Sequence, residues 1–202
     1  MIKFLLRDGK KLNGAAMTDY KKITTVIIFA MHSLVQSAEC PQNLIKHLTT
    51  NERNELKHKV DKAVSLLGKG NDKKVLADLQ RQADAIKKQD VLAKKESPYV
   101  WVIEYTPSTI QLLVDSVSTL KNINFAQQKN RSQYPQSAQV VQKFIDFIKK
   151  NKDGGFMVYQ EPATYLNFCK EAYIKPALSD NKTTYIVGAG VAKTPSIFMT
   201  LD

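Results

Sequence analysis

Two stretches near the middle of the chain carry apolar residues at helical spacing. Leu56, Val60, Val64 and Leu67 form one stripe that stops at Gly68, and Val75, Leu76, Leu79, Ala83 and Ile86 form the next. Thr49-Thr50-Asn51-Glu52 ahead of the first has the spacing of a capping box, and Asn71 or Asp72 can cap the second. Neither helix has enough apolar surface to stand alone, so each stripe must be buried on the rest of the chain or on another subunit. Pro98 to Tyr105 then reads as a strand covered on both faces, because its β-branched and aromatic run is nearly continuous. Lys94 to Ser97 is the linker before it. The pattern from Ile110 through Leu113 and Val114 to Val117 predicts a helix capped at Thr106 or Ser108, with Pro107 in or near its first turn.

Lys121 to Ala126 predicts a short second strand, and Tyr134-Pro135 a break. Ser137 opens a helix carrying Val140, Val141, Phe144, Ile145 and Ile148 as far as Lys150, and Asp153-Gly154-Gly155 ends it. A further helix is predicted over roughly Ala163 to Ile174. Asp180-Asn181 and Gly188-Ala189-Gly190 read as turns, and Ser196 to Leu201 as a closing strand.

The beginning of the chain has a different character. From Met17, a second candidate start, the pair Lys21-Lys22 precedes the mostly apolar stretch Ile23 to Val35 and the small residues Ser37 and Ala38, the layout of an export signal. That apolar stretch is shorter than the roughly 20 residues a bilayer-crossing helix needs, which favours a cleaved signal over a permanent span. The division expected is therefore a signal peptide over 1–38, a helical arm over 39–95 that can serve oligomerisation, and an α/β domain over 96–202. Export places the protein in the periplasm or outside the cell.

Composition narrows the chemistry. The 202 residues are 43% hydrophobic and 24% charged, as in globular proteins, with a net charge of +11. The lysines are spread along helix faces and no arginine-rich run interleaves with aromatics, which argues against nucleic-acid binding. Two cysteines, Cys40 and Cys169, and three histidines, His32, His47 and His58, make a poor metal set, and no cofactor is expected. Gly188-Ala189-Gly190 lacks the third glycine of a dinucleotide loop. Cys169 lies on an apolar stretch that reads as a buried thiol, while an oxidising compartment allows either a Cys40–Cys169 bridge or an intermolecular bond through Cys40.

The order of motifs resembles the DsbA family of periplasmic thiol-disulfide oxidoreductases, with their thioredoxin-like fold, in the subgroup that carries an N-terminal helical oligomerisation arm. Trp101-Val102-Ile103-Glu104-Tyr105 runs into Thr106-Pro107-Ser108-Thr109 where that family has a strand running into Cys-Pro-x-Cys. Gly190-Val191-Ala192-Lys193-Thr194-Pro195 is similar to the segment holding the family's cis-proline. The resemblance implies a thioredoxin-like sheet with an inserted helical subdomain, preceded by the arm and lacking the last strand and helix.

Disulfide exchange needs a thiolate at a helix N-terminus, and threonine supplies none. The implied function is thus a redox-inactive member, a chaperone or assembly factor binding polypeptide clients in a groove of Thr106, Pro107, Ser108, Thr109, Thr194 and Pro195, and forming a homo-oligomer through the arm. Two rival readings stand beside it. One is an oxidoreductase or isomerase working through Cys169 as a single thiol, and the other is a helical adaptor with a basic face.

Overall fold

A computed structural model describes residue 40 and residues 47–93, 97–115, 120–160, 169–179 and 183–192. The predicted signal peptide, Thr194-Pro195 and the expected strand over 196–201 lie outside the described residues.

Both predicted helices of the arm form. Helix α1 (Thr50–Leu66) opens on a complete capping box: the Thr49 hydroxyl accepts from the Glu52 amide at 3.3 Å, and the Glu52 carboxylate accepts from the Thr49 amide at 2.7 Å. Helix α2 (Asp72–Ala93) follows after a turn at Gly68, whose φ of +87° is a left-handed conformation that favours glycine. Asp72 fixes that turn. Its carboxylate accepts from the Gly68 amide (2.8 Å), the Ser179 hydroxyl (2.5 Å) and the Tyr185 hydroxyl (3.3 Å).

Strands β1 (Val100–Tyr105), β2 (Ile110–Val114), β3 (Gly155–Gln160), β4 (Cys169–Leu178) and β5 (Thr184–Ala192) make one sheet in the order β2-β1-β5-β4-β3. Every neighbouring pair is antiparallel. Two short helical segments lie between β2 and β3, namely α3 (Gln128–Gln133) and α4 (Pro135–Lys150), the latter with Pro135 in its first turn.

The stripes of α1 and α2 are buried on one face of the sheet. Leu56, Val60 and Ala63 of α1 and Leu79 and Ala83 of α2 pack with Val102, Val114, Tyr173, Tyr185, Val187 and Ala189. On the opposite face, Val141, Phe144, Ile145 and Ile148 of α4 pack with Trp101, Ile103, Ile110, Ile174 and Ile186. The result is a mixed α/β architecture in which an antiparallel sheet lies between helical layers.

Four sequence expectations are corrected here. The segment after Thr109 is a strand, not a helix. Its period-2 alternation is broken by a bulge, since Ile103 pairs with Leu112 while Val102 pairs with Val114, leaving Leu113 extra. Residues 169–174 likewise belong to β4 and not to a helix; burial on both faces of this interior strand hides the alternation that would have marked it. Gly188 and Gly190 lie inside β5, not in a turn. Lys121 to Ala126 does not form a strand but a turn that touches β2 through a single bridge, Gln111 to Asn124.

Pro176 sits in β4 without disrupting a ladder on both sides. The β3 pairing reaches only as far as Ile174, so beyond it one edge of β4 is open.

The Asp72 knot gives the first prediction. Burial alone would raise the Asp72 pKa, but the hydrogen bonds from Ser179, Gly68 and Tyr185 outweigh it and hold the carboxyl below its ordinary 3.8. Burial, with the Asp72 charge beside it, pushes Tyr185 up to about 12. A depressed carboxyl stabilises the fold above its unfolded pKa and loses that contribution as pH falls through the folded one; the raised phenol loses its contribution as pH climbs above 10. Asp72→Ala is expected to cost about 2 kcal/mol at pH 7 and to flatten the acid limb below pH 3.8, as read by urea unfolding across pH. An unchanged acid limb would refute this assignment.

Candidate functional site

Thr106 to Thr109 form the tight turn of the β1–β2 hairpin. The Thr106 amide donates to the Thr109 carbonyl at 2.7 Å, and the Thr109 amide donates to the Thr106 hydroxyl at 3.0 Å. Pro107 and Ser108 are the two exposed turn residues. No helix begins there, so no helix dipole acts on this turn, and the geometry of a thiol-disulfide site is absent. Its expected partners Thr194 and Pro195 lie outside the described residues.

Cys40 and Cys169 are joined in a disulfide, with Cα atoms 5.8 Å apart and a sequence separation of 129. Both cysteines of the chain are thereby used. This corrects the single-thiol reading of Cys169 and the reading of a buried free thiol. The bridge is reinforced two residues along β4. There Glu171, its side chain only 3% exposed, accepts from the Leu48 amide (2.8 Å) and the Arg53 guanidinium (2.5 Å). His47 approaches the same carboxylate at 3.9 Å.

The outer edge of β2 is where a different site is built. Asn124 is its keystone. The side-chain oxygen accepts from the amides of Ile110 (3.0 Å) and Ala126 (2.9 Å), its amide nitrogen donates to the Ser108 carbonyl (3.1 Å), and its own carbonyl accepts from Asn130 of α3 (2.8 Å). The Phe125 amide donates to the Ile110 carbonyl at 2.7 Å, which lays the Phe125 ring beside β2. Arg131, at the middle of α3, donates from Nε to the Phe125 carbonyl at 2.6 Å.

This arrangement borders a half-open cavity of about 190 Å³ between α3, α4 and β2. Ile110, Phe125, Val141 and Ile145 supply an apolar floor, while Arg131, Gln139 and Gln142 stand at its polar rim. Arg131 lines the cavity with Nε committed to Phe125, and it has no carboxylate partner in an ion pair between described residues. The floor is apolar and the rim carries the Arg131 charge with two amides, of which that of Gln142 donates to the Asp146 carboxylate at 3.0 Å. Such a combination suits a small organic anion with an apolar body. Among the described residues no group of three His, Cys, Asp or Glu side chains converges, and no helix is long and apolar enough to cross a membrane.

None of the cavity residues stands out in the sequence as a functional group. Arg131 is one of many dispersed basic residues, and the local signal that bears on it is the Asn124-Phe125 turn before Pro135, which reads as a strand followed by a break.

No protein-family model matches the chain, and no curated protein matches it. Among solved structures, it is similar to a Cache chemosensory domain described for its carboxylic acid recognition, at 16% identity and a TM-score of 0.38, covering 72% of this chain and 99% of that one. It is also similar to the periplasmic sensor domain of a chemotaxis protein, at 14% identity and a TM-score of 0.42, covering 72% and 99%. A sensory box sensor histidine kinase from Vibrio cholerae matches at 14% identity and 0.33, covering 56% and 98%. These neighbours are sensor proteins and not thioredoxin-like oxidoreductases. The uniformly antiparallel sheet and the hairpin at Thr106–Thr109 overturn the DsbA-family resemblance, its polypeptide-client groove and the functions drawn from it.

Proposed function

We propose that this protein is an extracytoplasmic ligand-binding domain, a sensing module that holds a small organic anion in the cavity beneath α3 and α4. The observation that carries the reading is the Arg131 guanidinium, tied by Nε to the Phe125 carbonyl and lining a cavity with an apolar floor. A pre-oriented guanidinium can take a carboxylate through two parallel hydrogen bonds. An apolar floor then favours the hydrocarbon part of the same molecule. The location is supported by the Cys40–Cys169 bridge, since disulfides persist in oxidising compartments, and by the export-signal layout of residues 17–38.

Isothermal titration with butyrate and benzoate tests this. At least one is expected to bind saturably, more tightly than the matching alcohol. Arg131→Gln is expected to weaken that binding by roughly tenfold or more, the scale of a lost charge-assisted hydrogen bond. Arg131→Lys, which keeps the charge but not the planar fork, should fall between. Equal affinity in Arg131→Gln, with an unchanged melting temperature, would overturn the assignment.

A further inference from the structure

The cavity beside Arg131 restricts what it can hold, first by size. Its volume is about 190 Å³. An apolar cavity of about 150 Å³ walled by leucine, isoleucine and phenylalanine has room for a benzene ring, and one water takes up about 30 Å³. The space left beyond a ring is therefore about 40 Å³, on the scale of one carboxylate and little else.

The walls are divided in the same proportion. Ile110, Phe125, Val141 and Ile145 are buried, and their side chains offer only carbon and hydrogen. The polar lining is confined to Arg131, Gln139 and Gln142, all of them exposed. A ligand can thus keep its charge at the open rim, where water still reaches it, and lay its body on the floor.

Rigidity separates a ring from a chain of equal volume. A flexible acyl chain must give up rotational freedom to fill a compact cavity, whereas a planar ring is already rigid. A ring also meets Phe125 as one aromatic meets another, a contact that an aliphatic body does not make. The number of charges is limited too. Among the described residues that line the cavity Arg131 alone is cationic, and Gln142 donates to the Asp146 carboxylate at 3.0 Å, which brings negative charge to the edge of the rim. A second carboxylate on the ligand would stand either on the carbon floor, stripped of water without a partner, or beside Asp146.

We propose that the ligand is a one-ring aromatic monocarboxylate of the benzoate type, with its carboxylate on Arg131 and its ring on the floor of Ile110, Phe125, Val141 and Ile145. This class rests on the reading of the cavity as an anion site and narrows it.

Calorimetric titration of the full-length protein with benzoate, hexanoate and terephthalate tests the class. Benzoate is expected to bind at least about tenfold more tightly than hexanoate, which carries a body of similar size on a flexible chain. Terephthalate, with a second carboxylate at the far end of the ring, should bind at least about tenfold more weakly than benzoate. Val141→Ala opens the floor by more than one methyl group, so 4-methylbenzoate should gain on benzoate by about threefold or more in that variant. Hexanoate binding that is lost in Arg131→Gln and equals or exceeds that of benzoate would overturn the aromatic class and leave the anion site standing. Absence of saturable binding by all of these acids, and by butyrate, would overturn both. Equal affinities for benzoate and terephthalate would mean that the ring does not lie on the floor, and would overturn the class. So would a ratio of 4-methylbenzoate to benzoate affinity unmoved by Val141→Ala.

Discussion

Cys40→Ser is expected to lower the unfolding free energy by about 2–5 kcal/mol, and Cys169→Ser or the double variant by the same amount and no more. The cross-link joins residues 129 apart, a loop for which the chain-entropy account gives about 5 kcal/mol of restriction of the unfolded chain. One bond can be lost only once, so the two substitutions should be strongly non-additive. The native state should survive the loss. Leu48 and Arg53, on either side of the Thr49 cap, remain held to β4 through Glu171, and the Glu171 side chain lies in the interior while its partners reach in from α1 and its N-terminal flank. Urea unfolding of the oxidised parent, the three variants and the parent in excess dithiothreitol checks this. Additive costs would show that the sulfurs act separately, and a variant as stable as the parent would show that the bridge contributes nothing.

The parts of the fold that could be read from the chain are those set by local chemistry. Thr49 and Glu52 are adjacent donors and acceptors whose spacing closes a capping box whatever packs around them, and Gly68 marks the end of α1 because the backbone there adopts φ +87°. The α4 stripe, with Pro135 at its start, is likewise a local signal. β1 is legible as an interior strand because five of its six residues are β-branched or aromatic.

What misled were segments whose pattern is fixed by distant partners. A bulge at Leu113 shifts Val114 to the α1–α2 side, so that Ile110, Leu113 and Val114 fall at helical spacing although the chain is extended. Interior burial gives β4 no polar face to reveal its period. With both segments taken as helices, Thr106-Pro107-Ser108-Thr109 looks like a helix entrance, and from there the thioredoxin-like resemblance follows. In the folded chain the same four residues reverse β1 into β2, a role for which Pro107 at the second position of the turn is well suited.

The candidate sites were less legible still, for a physical reason. Arg131 acquires meaning only because the Asn124 side chain pins residues 122–126 against β2, placing the Phe125 carbonyl where Nε can reach it. Trp101 was visible as a strand aromatic, but its seat depends on Gly188 of β5 lying beneath the ring, and a Gly-x-Gly run reads as a turn until its strand partners are known.

That dependence makes Gly188 the most sensitive backbone position in the sheet. Gly188→Ala is expected to destabilise the fold by about 3 kcal/mol, at the upper end for overpacking by a single methyl group. The added carbon would stand 2.5 Å from one ring atom of Trp101 and 2.6 Å from another, well inside van der Waals contact. The indole cannot retreat outward, because Phe144 is stacked on its other face and α4 is anchored by Ile145 and Ile148. Nor can β5 drop away, since β1 and β4 hold it by ladders on both sides. Gly190→Ala provides the contrast. Its Cβ would meet the Ala172 methyl at 2.9 Å but no ring, so a cost of about 1 kcal/mol is expected. Combining Gly188→Ala with Trp101→Leu should recover part of the loss, a coupling between touching residues of about 1 kcal/mol or more in a double-mutant cycle. Urea unfolding followed by far-ultraviolet circular dichroism reads all four proteins, because it does not need the tryptophan. Equal costs for Gly188→Ala and Gly190→Ala, or strict additivity with Trp101→Leu, would mean that the indole does not rest on β5.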